Sequence, residues 1–188
     1  MRKLVVTQYI SLDGVIEDPV GMEDSGLGDW TGPFTRGPEG ERLKQEELEA
    51  AGSLLLGRRT YDAFAAVWPH VTDSPFADRI NALPKHVAST TLTRAEWQGT
   101  SILAGDTLAA VAALKDGTGG DILVYGSLRL VHGLQRAGLV DAYNLMVYPV
   151  ALGAGGRLFA DGARSTLSLT EARTLSDGIQ WLRYEVKH

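Results

Sequence analysis

Ser53-Leu54-Leu55-Leu56-Gly57-Arg58-Arg59-Thr60-Tyr61-Asp62-Ala63-Phe64 reads as a short buried strand that runs into a glycine. Two arginines and a threonine then open an amphipathic helix. A strand-to-helix junction of this kind is the repeating unit of α/β architecture. It is also a place to hold a phosphate. The free N–H groups and positive dipole end of the helix favour an anion, arginine adds a planar fork, and the hydroxyl adds one hydrogen bond. Arg58 is the candidate anion ligand, because a cation at a helix start works against the dipole unless an anion is there. Arg59 is read as solvated surface.

Outward from this junction, strands and helices alternate. Leu4 to Ile10 is β-rich and ends in the turn chemistry of Ser11-Leu12-Asp13-Gly14. Residues 17 to 40 mix prolines, glycines and acids without a sustained period, too long for a simple connection and more like a functional loop. Trp30 and Phe34 within it suggest a lid or pocket wall. Glu39 to Ala51 is dense in helix formers with only Leu43 and Leu48 as apolar positions, which predicts a mostly exposed helix. Helices are predicted over Thr60 to Val67, Ser74 to Leu83 with Pro75 near its first position, and Thr107 to Lys115. Lys85 to Ala88, Ser101 to Leu103 and Asp121 to Tyr125 are short strands, the last running into Gly126-Ser127 and a helix through Arg136. Ala142 to Val150 is a long strand, and Ala151 to Gly156 a glycine-rich loop. Ser165 to Leu175 and Ile179 to Val186 form a terminal β-hairpin around Ser176-Asp177-Gly178. The expectation is a single domain over residues 1–188, with a mainly parallel mixed sheet, helices on both faces and a closing antiparallel hairpin.

Composition narrows the function. The 188 residues are 44% apolar, enough for one substantial core, and carry a formal net charge of −5. The eighteen lysines and arginines are scattered rather than gathered in a stripe, which argues against a nucleic-acid partner. Without cysteine there is neither a disulfide framework nor a thiolate metal site. His70, His86, His132 and His188 share no metal-ligand spacing, so no metal is expected. Polar Gln8, Ser11 and Asp13 interrupt the first apolar run, and no stretch approaches a membrane span, so a cytoplasmic protein is expected.

In open α/β sheets a ligand lies beyond the carboxyl ends of the strands. Three junctions there carry suitable chemistry: Gly57-Arg58-Arg59-Thr60, Ser89-Thr90-Thr91 and Gly126-Ser127-Leu128-Arg129. Together they suit a phosphorylated nucleotide with an extra phosphate. No strand leads into the glycine-rich fingerprint of a P-loop or of a Rossmann site. Simpler roles stand beside these. Thr60, Ser89 and Thr90 can cap backbone N–H groups, and Gly126 can serve only to permit positive φ. Asp13 before Gly14 is first a turn residue.

At these residues the chain resembles the dihydrofolate reductase fold family, and within it the branch containing the reductase domain of the bifunctional riboflavin-biosynthesis deaminase-reductase and its stand-alone relatives. Gly57-Arg58-Arg59-Thr60-Tyr61 is similar to the family's G-R-x-T segment, and Ser89-Thr90 to the serine pair after the next strand. Val124-Tyr125-Gly126-Ser127-Leu128-Arg129 resembles the glycine-rich turn under the cofactor, with Ser127 in place of the second glycine. Ser11-Leu12-Asp13-Gly14-Val15-Ile16, Gly138-Leu139-Val140-Asp141 and the run from Pro149 to Phe159 resemble the riboflavin-reductase branch specifically. The resemblance implies about eight strands and NADPH as hydride donor, held by Gly57, Arg58, Thr60, Ser89, Thr90, Gly126, Ser127 and Arg129, with Tyr9 and Ile16 near the nicotinamide. It places Gly153 near the substrate mouth, with Asp13, Trp30 and Phe34 as further substrate-side candidates. No residue stands out as a catalytic acid. The proton is expected from water or an acid of residues 17 to 41. A small heterocyclic or carbonyl substrate other than folate is expected, and a homodimer through the C-terminal strands. The alternative is a non-catalytic nucleotide sensor or accessory protein on the same fold. A metal-dependent hydrolase using the acids of the long loop lacks a ligand-spaced cluster.

Overall fold

The structure is a computed structural model that describes residues 1–187, so His188 lies outside the described residues. Eight strands form one sheet: β1 (Leu4–Ser11), β2 (Ala51–Gly57), β3 (Lys85–Ala88), β4 (Thr100–Leu103), β5 (Asp121–Tyr125), β6 (Ala142–Tyr148), β7 (Leu167–Thr174) and β8 (Gln180–Val186). Their order across the sheet is β4-β3-β2-β5-β1-β6-β8-β7. β1 to β6 run parallel, β8 pairs antiparallel with β6, and β7 pairs antiparallel with β8 at the edge of the sheet. The helices are α1 (Gly37–Ala50), α2 (Arg58–Val67), α3 (Pro75–Ala82), α4 (Thr107–Asp116) and α5 (Leu128–Arg136). This is the dihydrofolate reductase-like mixed sheet expected above, with the hairpin turn falling at Ser176–Gly178.

Strand alternation divides the core. Leu4 and Val6 of β1 turn to one face with Val111 of α4 and Val131 and Leu134 of α5. Val5 turns to the other, with Leu48 of α1, Tyr61 of α2 and Ile80 of α3. Because both faces are covered, the central strands are apolar on both sides. Leu54, Leu55 and Leu56 are fully buried, each contributing about 1.5–3 kcal/mol of transfer free energy. A third cluster packs Trp30, Leu43, Met146, Tyr148, Leu175, Ile179 and Trp181 together over β6 and β8.

Helix ends follow local chemistry. Ser74 Oγ accepts the Ala77 N–H at 3.2 Å ahead of Pro75, and the Asp106 carboxylate accepts from Leu108 and Ala109 at the start of α4. Arg79 of α3 donates to the carbonyls of Leu48, Glu49 and Ala51, satisfying the C-terminal end of α1. α1 stops at Ala50, and Ala51 is already extended, so the strand begins two residues before Ser53.

One expectation is corrected. α1 is not mostly exposed: Gly40, Leu43, Lys44 and Leu48 are buried, and the Glu47 side chain is only 4% exposed. Its inward face carries a lysine and a glutamate that pair with each other, which a count of apolar residues cannot register.

Candidate active site

The parallel order β3-β2-β5-β1 brings four carboxyl strand ends side by side. At the centre, Ser127 ties two of them. Its Oγ accepts the Gly57 N–H at 2.8 Å and donates to the Tyr125 carbonyl at 2.7 Å. Its own N–H donates to Thr60 Oγ1 at 3.0 Å. Ser127 adopts the left-handed conformation, φ 60° and ψ 42°, which a glycine would take without strain. The two side-chain hydrogen bonds hold it there. Gly126 has φ +50°, and a Cβ on it would lie 2.7 Å from Thr60 Oγ1, so its close approach is to Thr60 itself. The positive φ expected of Gly126 is present.

Neither α2 nor α5 has a side-chain cap on its first N–H groups. Arg58 opens α2, half-buried, with its guanidinium on the Asp62 carboxylate at 2.7 and 2.8 Å and Nη1 3.5 Å from Thr91 Oγ1. The β2 and β3 junctions are thus neighbours. Ser89 Oγ accepts the N–H groups of Thr91 and Leu92, the simpler capping role, while Thr90 is exposed. Arg129 is exposed on the first turn of α5, and Arg59 is exposed and reaches the Glu23 carbonyl. This donor set, two uncapped helix starts beside Arg58, Thr60 and a close-packed glycine turn, fits a phosphorylated ligand.

A cavity of about 670 Å³ opens beside these junctions. Of the residues singled out from sequence, Tyr9, Phe34, Thr60 and Gly126 line it. Ile16 is buried, 2% exposed, in the core behind β1. Trp30 is buried as well, its indole N–H on the Glu17 carbonyl, so it covers the core rather than the cavity. Phe34 and Trp30 both meet the Tyr148 ring edge-on at 5.8 Å. Asp13 performs turn work. It accepts from Ser11 Oγ at 2.6 Å and from the N–H groups of Leu152 and Gly153, which hold its carboxyl down at about 2. Gly153 lies there, exposed, away from the cavity lining.

Acids of residues 17 to 41, expected as a proton source, do line the cavity, together with residues not singled out from sequence. Asp18, buried in the long loop, gathers the N–H groups of Glu23 and Ser25 and the Ser25 hydroxyl. This places the Glu23 carboxylate on Thr60 Oγ1 at 3.1 Å, where burial pushes its pKa up. Arg36 bonds Tyr9 and forms two hydrogen bonds to Glu41. Burial raises the phenols of Tyr9 and Tyr148, the latter to about 12. Lys44 comes up from α1 to Thr7 Oγ1 at 2.9 Å, between the rings of Tyr9 and Tyr125. A signal for it existed: Gly40, Lys44, Glu47, Leu48 and Ala51 fall on one helical face with Leu43.

Similar proteins show the same fold. A putative riboflavin biosynthesis protein from Shewanella sp. PV-4 superposes with TM-score 0.73 at 22% identity, covering 99% of both chains. Dihydrofolate reductase from Enterococcus faecalis, complexed with NADP(H), gives 0.63 at 14% identity, covering 99% of this chain and 97% of the other. The chain matches in full to 58% of RibD from Acinetobacter baumannii, with TM-score 0.63 and 16% identity. Two Bacillus subtilis (strain 168) proteins are similar in sequence. YyaP is 30% identical over 190 residues, covering 97% of this chain and 94% of YyaP, and YwjB is 26% identical over 180 residues, covering 95% of each. The RibD C-terminal domain family matches residues 2–181, from the first strand to the last. With the eight-stranded sheet, the paired strand-end junctions and a family match across almost its whole length, the chain belongs to the RibD C-terminal domain family.

Proposed function

We propose that residues 1–188 form one NADPH-dependent reductase domain acting on a small, flat heterocyclic or carbonyl substrate. The observation that carries this reading is the Gly57–Ser127–Thr60 knot, which sets two uncapped helix starts beside an aromatic cavity in a member of this family. Arg58, Thr60 and the first N–H groups of α2 and α5 hold the phosphates, with Arg129, Ser89 and Thr90 at the margin. Bound reduced nicotinamide supplies a hydride. Tyr9, Phe34 and Tyr148 offer flat apolar walls that orient a planar substrate and exclude water. Burial raises the phenol pKa values of Tyr9 and Tyr148, so both stay protonated near neutrality.

The chain works in the cytoplasm on this reading; among the described residues no helix is long and apolar enough to cross a membrane. A homodimer would cover β7, an outer strand of the sheet whose Leu169 is 54% exposed. The test is fluorescence titration with NADPH and NADH. NADPH is expected to bind, and Arg58→Ala to weaken it about tenfold or more, the equivalent of a charge-assisted bond worth roughly 1.5–3 kcal/mol. If neither nucleotide binds at millimolar concentration, the proposal fails. Binding without reduction of any flavin-pathway intermediate, pterin or carbonyl compound supports the sensor reading instead.

A further inference from the structure

We propose that Lys44 is the proton donor of the cavity and that Glu47 recharges it from a second, water-holding cavity on the other side of α1. The catalytic half of this rests on the reductase reading; the relay half does not.

Among the acids that line the main cavity, Asp18 is spent on loop N–H groups and Glu23 on Thr60, while Asp29 holds the Gly32 N–H and Glu41 holds Arg36. Arg36 keeps its proton at any ordinary pH. Lys44 remains. Its side chain is 5% exposed, its Nζ donates to Thr7 Oγ1 and Glu47 Oε1, and the same atom lies 4.8 Å from the Tyr125 ring centre and 5.7 Å from that of Tyr9. An ammonium has three protons, and no third oxygen of the described residues takes one. Burial lowers the Lys44 pKa, while it raises those of Tyr9 and Tyr125, which separates a donor from two phenols that keep their protons.

Glu47 looks the other way. Thr7 and Lys44 hold its Oε1, and Asn144 Nδ2 holds its Oε2 at 2.6 Å. Glu47 and Asn144 line a separate cavity of about 180 Å³ between α1 and strands β1, β5, β6, β7 and β8. Asn144 Oδ1 and Trp181 Nε1 are buried without a partner, and both residues line that cavity. A space of this size walled by charged and amide side chains has room for water, which takes about 30 Å³ per molecule. Arg42, Glu46, Asp121, Glu171, Arg173 and Arg183 are its charged surroundings, and Arg36, Glu41, Tyr9 and Tyr125 those of Lys44. The Lys44–Glu47 pair therefore spans the wall between the two cavities. In the proposed step a substrate carbonyl or imine carbon gains a hydride, and a proton leaves Lys44 Nζ for the substrate oxygen or nitrogen. Glu47, a carboxylate while it is paired with the ammonium, then accepts a solvent proton from the second cavity and passes it to the neutral amine, which restores the ion pair. One hydride and one solvent proton are consumed per turnover.

The relay is tested in ligand-free protein by NMR of ¹⁵N-lysine, measuring exchange of the Lys44 Nζ protons with water; the signal is assigned by its loss in Lys44→Arg. Glu47→Gln is expected to slow this exchange at least tenfold. Ala50→Leu, which narrows the second cavity from its rim, gives the same result without touching either charge and serves if Glu47→Gln does not melt cooperatively. Exchange unchanged in the folded variants overturns the relay, whether or not any nucleotide binds. The catalytic role is tested with NADPH and 9,10-phenanthrenequinone as probe. Lys44→Met combined with Glu47→Gln leaves no lone buried charge; it should slow single turnover about 100-fold or more while leaving NADPH affinity within about twofold. A single-turnover rate within threefold of the wild type overturns Lys44 as donor. Failure of the wild type to bind NADPH sinks the reductase reading and the donor role with it, but not the relay.

Discussion

Replacing Gly126 by alanine isolates the contact that knots the two strand-end junctions. Gly126 has φ +50°, so an alanine there costs roughly 1–2 kcal/mol in backbone conformation alone. Its Cβ would also sit 2.7 Å from Thr60 Oγ1 and 3.1 Å from Thr60 Cγ2. Thr60 is 2% exposed and held by hydrogen bonds to Ser127 and Glu23. Displacing it breaks the Ser127 N–H to Thr60 bond and the Thr60 to Glu23 bond, each worth about 0.5–1.5 kcal/mol net. The sum is about 2–5 kcal/mol. Gly138→Ala supplies the control, since Gly138 has φ +65° with nothing within 4 Å of the added atom, and pays only about 1–2 kcal/mol of conformational cost. Urea unfolding monitored by tryptophan fluorescence gives both numbers from the midpoint and slope, and the slope itself should not change. Gly126→Ala should exceed Gly138→Ala by about 1–3 kcal/mol, and Thr60→Ala should recover part of that excess in a double-mutant cycle. Equal costs for the two glycines, to within about 0.5 kcal/mol, would refute the assigned contact.

Two further predictions concern positions outside the cavity. Asp13 has its carboxyl held at about 2 against an ordinary 3.8, so the stability it contributes is present above pH 3.8 and is lost as pH falls toward 2. Melting curves from pH 2 to 5 should show the gap between wild type and Asp13→Asn closing over that window; a gap independent of pH contradicts the assignment. Arg79→Met removes the hydrogen bonds to the Leu48 and Glu49 carbonyls of α1 and to the Ala51 carbonyl just beyond it, and should cost about 1.5–3 kcal/mol by thermal melting. A loss below about 0.5 kcal/mol would mean that water satisfies that helix end equally well.

Much of the architecture was legible in local chemistry. The unbroken Leu54-Leu55-Leu56 and Ile122-Leu123-Val124 runs announce strands covered on both faces, and Ser74-Pro75 marks a helix start. Gly57 to Thr60 and Gly126-Ser127 were legible as strand-end junctions, though the bond between them was not, because Gly57 and Ser127 lie 70 residues apart. Trp30 and Phe34 look alike in sequence, four positions apart in one loop. The hydrogen bonding of Asp18 and Glu17 decides that Trp30 seals the core while Phe34 lines the cavity. Lys44 and Glu47 share a helical face with Leu43 and Leu48, yet that face does not by itself say that they are buried. Charged residues on a helix ordinarily mark its wet face, and only partners from β1, β5 and β6 make their burial favourable.

The bond from Gly57 to Ser127 also bears on what a ligand experiences on arrival. With the two strand ends fastened to each other, the donors of α2 and α5 move as one body, and neither loop has conformational freedom left to surrender at that end of the groove. Recognition there is preorganised, so its calorimetric signature should be a small heat-capacity change set by apolar contact rather than the large one that accompanies coupled folding.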